Sequence, residues 1–314
     1  MILQEQIGER KRVWHLSVKQ FACLMVLCAA SFAAPATLKA QDEDTTRRLW
    51  DTAFINSGNK KTPTRRATKR SYRIATPNVP TAGVNGETVV GVTVWRLRRA
   101  TSTDSGERLI VHEGADTAEW LPQRISGNTR LDQGDRLRIS VEAARSGYLY
   151  VVDREQYADG SVSEPYLIFP TTRTLNGNNQ MTVGKITELP ARDDRPPYFT
   201  VKRSRPDQVA EVLSVLISPS PLAGIEITDK AQKLSEAQVG TWEKQWGARV
   251  GLLELEAGAG KTWTREEKEA GAGLAQVLKS DAPAPQAIYY QPNTKSNQPI
   301  FVKVRLRYDY SAKR

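Results

Sequence analysis

Residues 134–160 decide the fold of this chain, and their sequence is GDRLRISVEAARSGYLYVVDREQYADG. After the first Gly-Asp pair, apolar and polar residues alternate, with Leu137, Ile139 and Val141 on one side and Arg136, Arg138 and Ser140 on the other. A period of two predicts a β-strand with one buried face. Residues 147–153 predict the next strand, and the Asp159-Gly160 pair predicts a tight turn, because glycine adopts positive φ angles at little cost.

Similar short strands, separated by turn residues, are predicted along the chain at 88–97, 108–112, 166–169, 181–187, 198–202, 209–217 and 300–308. Capping-box patterns at 235–238 and 264–267 predict two helices before the last strand. We therefore predict a mainly β fold. It is a sandwich or a partly open barrel of short antiparallel strands, with two helices inserted before the C-terminal strand.

Residues 1–40 have the order of a secretory signal peptide: basic residues, an apolar run over 21–34, and then small residues. Both cysteines, Cys23 and Cys28, lie inside this segment, so the exported chain would contain no thiol. The alternative is an uncleaved anchor, because charge-free residues continue to Leu38. We predict export to the periplasm, the outer envelope or the extracellular space.

The chain has a net charge of +10, and much of it lies in one segment. Residues 52–86 contain seven basic residues and no acidic ones: Lys60, Lys61, Arg65, Arg66, Lys69, Arg70 and Arg73. The segment lacks apolar periodicity, which predicts a flexible basic linker over 41–86. Two interpretations stay open. The linker contacts a polyanion, such as an anionic membrane surface or lipopolysaccharide, or it is a spacer kept soluble by its charge.

The rest of the chain, 87–314, is predicted to be one β-rich domain. It would comprise a core over 134–219, a helical extension over 221–285 and the terminal strand 300–308. The charge of this part is nearly balanced. We therefore expect no specific nucleic-acid partner, since such proteins carry basic patches on the folded domain.

The predicted core also contains a set of glycine, proline, asparagine and strand residues that can be compared with a known family. They are the Gly134-Asp135 pair, the strand 147–152, the Asp159-Gly160 pair, Leu-Ile-Phe-Pro at 167–170, Asn176, Asn178, Gly184, Pro190 and Pro219. On these residues, 134–219 resembles the domain-of-unknown-function family numbered 4384. The resemblance implies a β-rich bacterial module that is often exported or attached to enzymes such as caspase-like peptidases and protein kinases. It implies no activity.

The sequence lacks the residues that several catalytic mechanisms require. After export no cysteine nucleophile remains, and His112, which follows an apolar run, is predicted to be an ordinary strand-end residue. A zinc site would need several Cys or His ligands, so we predict no metal and no cofactor. Residues 257–262, AGAGKT, resemble a phosphate-binding loop, but Leu255 stands where the pattern requires glycine. We predict a glycine-rich turn there.

The densest aromatic group is Tyr148, Tyr150, Tyr157 and Tyr166, which are either core residues or a platform for a peptide or glycan. We predict no enzyme activity. The leading hypothesis is an exported, non-catalytic binding or structural module at the bacterial cell envelope, with an unknown protein or polymer partner. One alternative is an enzyme that cleaves glycans with carboxylates alone, which needs two acids about 5–10 Å apart. Residues that could supply carboxylates are Asp132, Asp135, Asp153, Asp159, Asp193 and Asp194. The other is polyanion or nucleic-acid binding through the basic linker.

Overall fold

Two β-sheets, A and B, form the fold in the residues that the computed structural model describes: 72–74, 88–113, 116–247, 250–273, 283–291 and 297–309. The predicted signal peptide and all of the predicted linker except 72–74 lie outside the described residues. None of the helices in the described ranges has the length and apolar content that a membrane crossing requires.

Sheet A contains nine strands among the described residues: β1 (Tyr72–Ile74), β2 (Thr88–Arg99), β3 (Leu109–Glu113), β4 (Asp116–Ile125), β6 (Arg136–Ala143), β10 (Thr187–Leu189), β11 (Phe199–Thr200), β14 (Gly251–Leu255) and β15 (Ala287–Gln291). Its main order is β1-β14-β15-β2-β4-β3, and all of its pairs are antiparallel. The long strand β2 also pairs with β6, which in turn pairs with β10 and β11. These pairs make β2 and β6 the centre of sheet A.

Sheet B contains seven strands among the described residues: β5 (Arg130–Leu131), β7 (Gly147–Tyr157), β8 (Tyr166–Phe169), β9 (Gln180–Met181), β12 (Gln208–Ser218), β13 (Gln232–Lys233) and β16 (Ile300–Tyr308). Its order is β13-β8-β7-β12-β16-β5, with β9 paired to β7. Only the β16–β5 pair is parallel among the pairs described in this sheet. The terminal strand β16, which we expected to join a sheet, pairs with β12.

The main hydrophobic core lies between the two sheets. Val92 and Val141 contribute from sheet A, and Val151, Val215 and Val302 contribute from sheet B. Alternate residues of each strand point into this layer, so β-branched side chains fill it at a period of two. The predicted mainly β sandwich with two helices before the C-terminal strand is therefore confirmed, and neither sheet closes into a barrel within the described residues.

Both outer faces of the sandwich are covered as well. Helix α1 (Glu236–Trp242) packs Val239 and Trp242 against sheet B. Helix α2 (Arg265–Gly271) lies on sheet A, where its Glu267 pairs with Arg124 of β4. The prediction of one buried face for β6 is therefore wrong. Arg138, on the side expected to face solvent, is only 1% exposed, because Glu188, the Pro197 carbonyl and the Trp263 ring lie against its guanidinium group.

The helices are shorter than the expected helical extension over 221–285. The described part of that stretch also contains strands β13 and β14. The predicted caps are present: Ser235 accepts a hydrogen bond from the Gln238 backbone N–H, and Thr264 and Glu267 form a complete capping box. The caps therefore locate both helix starts, and α1 continues directly into a π-helical turn at Glu243–Gly247.

Candidate functional site

Five side chains with hydroxyl or carboxyl groups meet at one end of sheet B, on the face that points towards sheet A. This carboxylate–tyrosine cluster consists of Asp153, Glu155 and Tyr157 of β7, Glu211 of β12 and Tyr308 of β16. Along β7 the same face starts with the core residues Leu149 and Val151 and then becomes acidic. The strand therefore extends from the hydrophobic core into a polar end of the sandwich.

The sheet register brings the acidic residues together. Glu211 lies opposite Glu155 across the β7–β12 pair, and Asp153 is one position further along β7 on the same face, opposite Leu213. Directly opposed like charges destabilise a pair of strands when both are ionised. The arrangement therefore favours protonation of part of the cluster.

Burial acts in the same direction. Removal from water, together with the neighbouring Glu211 and Glu155, raises the pKa of Asp153 to about 8. Burial also raises the pKa of Glu211, although the nearby Tyr308 hydroxyl opposes the shift. The pKa of the Tyr308 hydroxyl is raised by burial and by the acids around it, so the hydroxyl stays protonated. The cluster thus holds protons near neutral pH.

Glu155 already accepts hydrogen bonds from two hydroxyl groups. Its Oε2 atom accepts one from Tyr157 at 2.6 Å and a second from Ser204. The hydrogen bond to Glu155 raises the pKa of Tyr157. Both donors fix the Glu155 side chain, and this favours a positioning role over direct attack on a ligand.

Residues 203–207 cover one side of the cluster. Arg203 Cζ lies 5.6 Å from the ring centroid of Tyr308, and Arg205 Cζ lies 4.0 Å from that of Tyr157. Arg205 is held by two hydrogen bonds to Asp207, of 3.0 and 2.6 Å. This segment therefore places two arginines beside Asp153, Glu155 and Glu211. Within the described residues, neither arginine forms an ion pair with these acids.

One atom of the cluster stands out as a candidate ligand contact. Asp153 Oδ1 is buried and has no hydrogen-bond partner among the described residues, and the same is true of the Tyr308 hydroxyl, which lies in the core. Tyr166 lies opposite Asp153 in the β7–β8 pair, and 41% of its surface is exposed. An unsatisfied polar atom next to an accessible aromatic ring is an arrangement that an incoming ligand can complete.

The four tyrosines that we expected to be either core residues or a platform do not form one surface. Tyr157 and Tyr166 lie on the face of sheet B that carries the cluster. Tyr148 and Tyr150 lie on the opposite face, where they pack in the layer beneath α1. The Tyr150 hydroxyl there accepts a hydrogen bond from the Leu222 N–H at 2.9 Å. Tyr148 and Tyr150 are therefore packing residues, because consecutive strand positions alternate between faces.

Only part of the cluster could be predicted from the sequence. Alternation along β7 places Asp153, Glu155 and Tyr157 on one face, so this signal was available. Glu211 and Tyr308 come from strands distant in sequence, and only the pairing of β12 with β7 and β16 brings them close. Nothing in the spacing of the sequence indicates that register.

The predicted polyanion contacts lie almost entirely outside the described residues. Lys60, Lys61, Arg65, Arg66, Lys69 and Arg70 belong to undescribed parts of the chain. Arg73 lies in β1, opposite Glu254 of β14. At this position the basic segment is a strand of sheet A, so the prediction of a flexible linker is wrong for 72–74.

The remaining candidate motifs have ordinary structural roles. Residues 257–262 form turns between β14 and α2, which confirms the glycine-rich turn. His112 lies within β3, and its Nδ1 atom is 3.2 Å from the Thr117 hydroxyl. Across the described ranges, no group of three or more His, Cys, Asp or Glu side chains is arranged to hold a metal ion.

Comparisons with known proteins add no relative: no protein-family model, curated protein or solved structure matches the chain. The resemblance of 134–219 to the family numbered 4384 thus rests on the residues quoted above, and the function must be argued from the cluster itself.

Proposed function

We propose that the chain is an exported, non-catalytic binding module of the bacterial cell envelope, and that its ligand is a polysaccharide bound at the carboxylate–tyrosine cluster. The order of residues 1–40 and the confinement of Cys23 and Cys28 to that segment support export. The partner is then an envelope polymer rather than an intracellular metabolite.

The observation that carries the glycan assignment is the unsatisfied Oδ1 atom of Asp153 beside the exposed ring of Tyr166. A carboxyl group that burial keeps protonated both donates and accepts hydrogen bonds. Sugar hydroxyls have the same dual character, and an aromatic ring packs against the C–H face of a sugar. A site for a simple cation would instead favour ionised carboxylates.

Binding without cleavage fits the protonation of the cluster. Glycosidases need one ionised and one protonated carboxyl group on the two sides of the bond. Here burial raises the pKa of both Asp153 and Glu211, and Glu155 is held by two hydroxyl donors. Asp153 and Glu211 are therefore poorly suited to act as an ionised nucleophile, and the Tyr157 and Ser204 hydroxyls occupy the Glu155 carboxyl group.

The proposal is tested with soluble, uncrosslinked peptidoglycan strands as the probe and isothermal titration calorimetry as the readout. We expect the exported form to bind and Asp153→Ala to lose at least about tenfold in affinity, as when buried hydrogen bonds are removed. Asp193→Ala, in an exposed loop, serves as the matched control and should bind as the wild type does. Absence of binding by the wild type would refute the glycan assignment.

The same sample separates binding from catalysis. If the wild type releases new reducing ends from the strands and neither Asp153→Asn nor Glu211→Gln does so, the protein is the carboxylate-only enzyme instead. If the strands are recovered at their original length, the non-catalytic interpretation is supported.

Export is tested by sequencing the N-terminus of the protein recovered from envelope fractions. We expect a start near residue 41. An intact Met1 would indicate an uncleaved anchor, and a start at Cys23 or Cys28 would indicate a lipoprotein. Either result would contradict signal-peptide cleavage.

A further inference from the structure

Three arginines lie side by side on the outer face of sheet B: Arg130 of β5, and Arg305 and Arg307 of β16. We call them the arginine patch. Arg130 and Arg307 are direct partners in the parallel β5–β16 pair, and Arg305 is two positions from Arg307 on the same face. The residues that follow in the two strands, Leu131 and Tyr308, belong to the core between the sheets. Alternation therefore places the arginines on the opposite, outer face.

The neighbouring strands contribute no acid to this part of the face. In β12, Ala210 lies opposite Arg307, and Val212 lies opposite Arg305. One strand further, Gln156 of β7 lies opposite Ala210 and accepts a hydrogen bond from Arg305 Nε at 2.8 Å. The sheet itself therefore does not neutralise the patch.

None of the three arginines forms an ion pair with a carboxylate in the part of the chain that the structure describes. Other cations of the same face do: Arg154 pairs with Glu236 of α1, and Lys303 pairs with Glu243. All three side chains of the patch are exposed. Because arginine stays ionised throughout the pH range in which proteins fold, the patch presents three positive charges to solvent.

The contact between Arg130 and Arg307 is unfavourable in the free protein. Like charges that lie directly opposite each other in a strand pair destabilise the sheet. An anion in contact with both guanidinium groups replaces this repulsion with attraction. Binding of an anion at the patch therefore relieves a cost that the fold alone does not remove.

The positions of the cations match a linear anionic polymer. Paired strands lie about 4.8 Å apart, and alternate residues of one strand are about 6.6 Å apart. Arg130 and Arg305 therefore flank Arg307 on two sides, and one chain of closely spaced anions can contact all three. Arginine presents two parallel N–H donors that match the oxygens of a phosphate group. Phosphate is the anion that these side chains recognise best.

Nucleic-acid bases and membranes match the patch less well. Single-stranded nucleic acids stack their bases on exposed aromatic rings, and the outer-face positions described above hold no aromatic residue. Peripheral membrane binding needs exposed apolar residues together with charge. Of the large hydrophobic residues exposed in the described ranges, only Val162 is paired next to the patch, through its bridge to Gln156. The patch thus offers charge and donor geometry without a surface for lipid tails or bases.

We propose that the arginine patch binds the phosphate groups of a linear anionic polymer. This site is independent of glycan binding at the carboxylate–tyrosine cluster, because sheet B separates its outer face from the face that carries the cluster. It also differs from the predicted contact through the basic linker, since strand pairing fixes the positions of its cations.

The test uses the full exported chain and labelled inorganic polyphosphate as the probe, with affinity measured by fluorescence anisotropy over a range of salt concentrations. Arg130→Gln/Arg307→Gln should weaken binding about fivefold or more and lower the salt dependence by about two released counterions. Arg173→Gln/Arg265→Gln is the matched control, because it removes two positive charges from side chains that are 72% and 77% exposed elsewhere. The control should lose less than about twofold, since only long-range, screened charge changes.

An equal loss in both double variants would show unspecific charge attraction and overturn the proposal, as would unchanged affinity in the patch variant. Polyglutamate and phosphatidylglycerol vesicles are the two comparison probes. The loss caused by the patch variant should be larger with polyphosphate than with either of them. A larger loss with polyglutamate would indicate an acidic protein partner, and a larger loss with vesicles would indicate a membrane. Either result would overturn the assignment to a phosphate polymer.

Thermal melting separates binding from folding. Because the Arg130–Arg307 contact is repulsive, the patch variant should melt at the same temperature as the wild type or at a higher one. If it does not fold, Arg307→Gln alone decides, because this side chain is exposed and has no ion pair to lose among the described residues. A loss of at least about threefold then supports the site, and a smaller loss refutes it.

Discussion

Arg138 of β6 donates a hydrogen bond from Nη2 to Glu188 Oε2 of β10 across 2.9 Å, and each side chain is only 1% exposed. The guanidinium group also donates to the Pro197 carbonyl and lies 5.8 Å from the ring centroid of Trp263. Gly271 of α2 approaches Glu188 so closely that a Cβ there would lie 2.4 Å from Glu188 Cδ. The Arg138–Glu188 ion pair is therefore buried on sheet A, with α2 packed against Glu188.

Removal of one charge from this pair should be costly. Glu188→Gln leaves the Arg138 charge buried without compensation, and we expect a loss of about 3–5 kcal/mol in the free energy of unfolding. Denaturant unfolding measures the loss. Glu164→Gln is the control, since Glu164 pairs with Lys233 where both side chains are 56% exposed, and it should cost less than about 1 kcal/mol. Equal costs would show that burial of the Arg138–Glu188 pair has no energetic consequence.

Glu142 of β6 should make stability depend on pH. Burial raises the pKa of this carboxyl group to about 8, although Arg124 opposes the shift. The folded state then binds the proton more tightly than the unfolded state, whose pKa is about 4.3. The contribution of Glu142 to stability therefore falls as the pH rises from about 4.3 to about 8 and stays constant above that.

Glu142→Gln should flatten this dependence and melt at a higher temperature than the wild type at pH 9. Thermal melts from pH 5 to pH 9 give the difference between the two proteins at each pH. Glu226→Gln, at an exposed position, is the control, and its melting temperature should change with pH as that of the wild type does. A Glu142→Gln curve parallel to that of the wild type would contradict the prediction.

Two glycines should respond to alanine in opposite directions. At Gly147, the first residue of β7, a Cβ would lie 2.6 Å from the Ser218 carbonyl oxygen, so Gly147→Ala should cost about 1–3 kcal/mol. At Gly240, inside α1, a Cβ meets no atom within 4 Å, and Gly240→Ala should stabilise by about 0.5–1 kcal/mol. Thermal melting of both variants checks the signs, and stabilisation by Gly147→Ala would contradict the close approach of β7 and β12.

Deletion of 298–314 should make the domain aggregate. It removes β16, which contributes Ile300 and Val302 to the core and covers one edge of β12. An exposed strand edge with an apolar face pairs with other chains. Light scattering at constant protein concentration is the measurement, with a chain lacking only 310–314 as the control. A soluble 298–314 deletion with an unchanged melting temperature would refute the role of β16.

Local patterns in the sequence were sufficient for much of the fold. Alternation over 136–141 and 147–153 predicted strands that the structure contains as β6 and β7, and the two capping boxes located the starts of α1 and α2. Strand β4 was missed because Pro122 interrupts its alternation. Periodicity and capping depend on residues close together in the chain. They therefore locate regular elements, and they fail where a residue such as Pro122 breaks the local pattern.

Which faces are buried, and which side chains meet, was decided only by the tertiary structure. The alternation of β6 correctly separated Arg138 from Ile139, but the pairing of Arg138 with Glu188 and the packing of α2 against Glu188 depend on contacts between distant segments. Likewise, β7 by itself aligns Asp153 with Glu155, whereas Glu211 and Tyr308 join them through the register of three strands. Neighbouring residues were enough to predict β6, β7 and both helix starts, because alternation and capping are local. The buried ion pair and both candidate sites arise only from packing, because long-range strand register and burial set the pKa and the partners of each charged group.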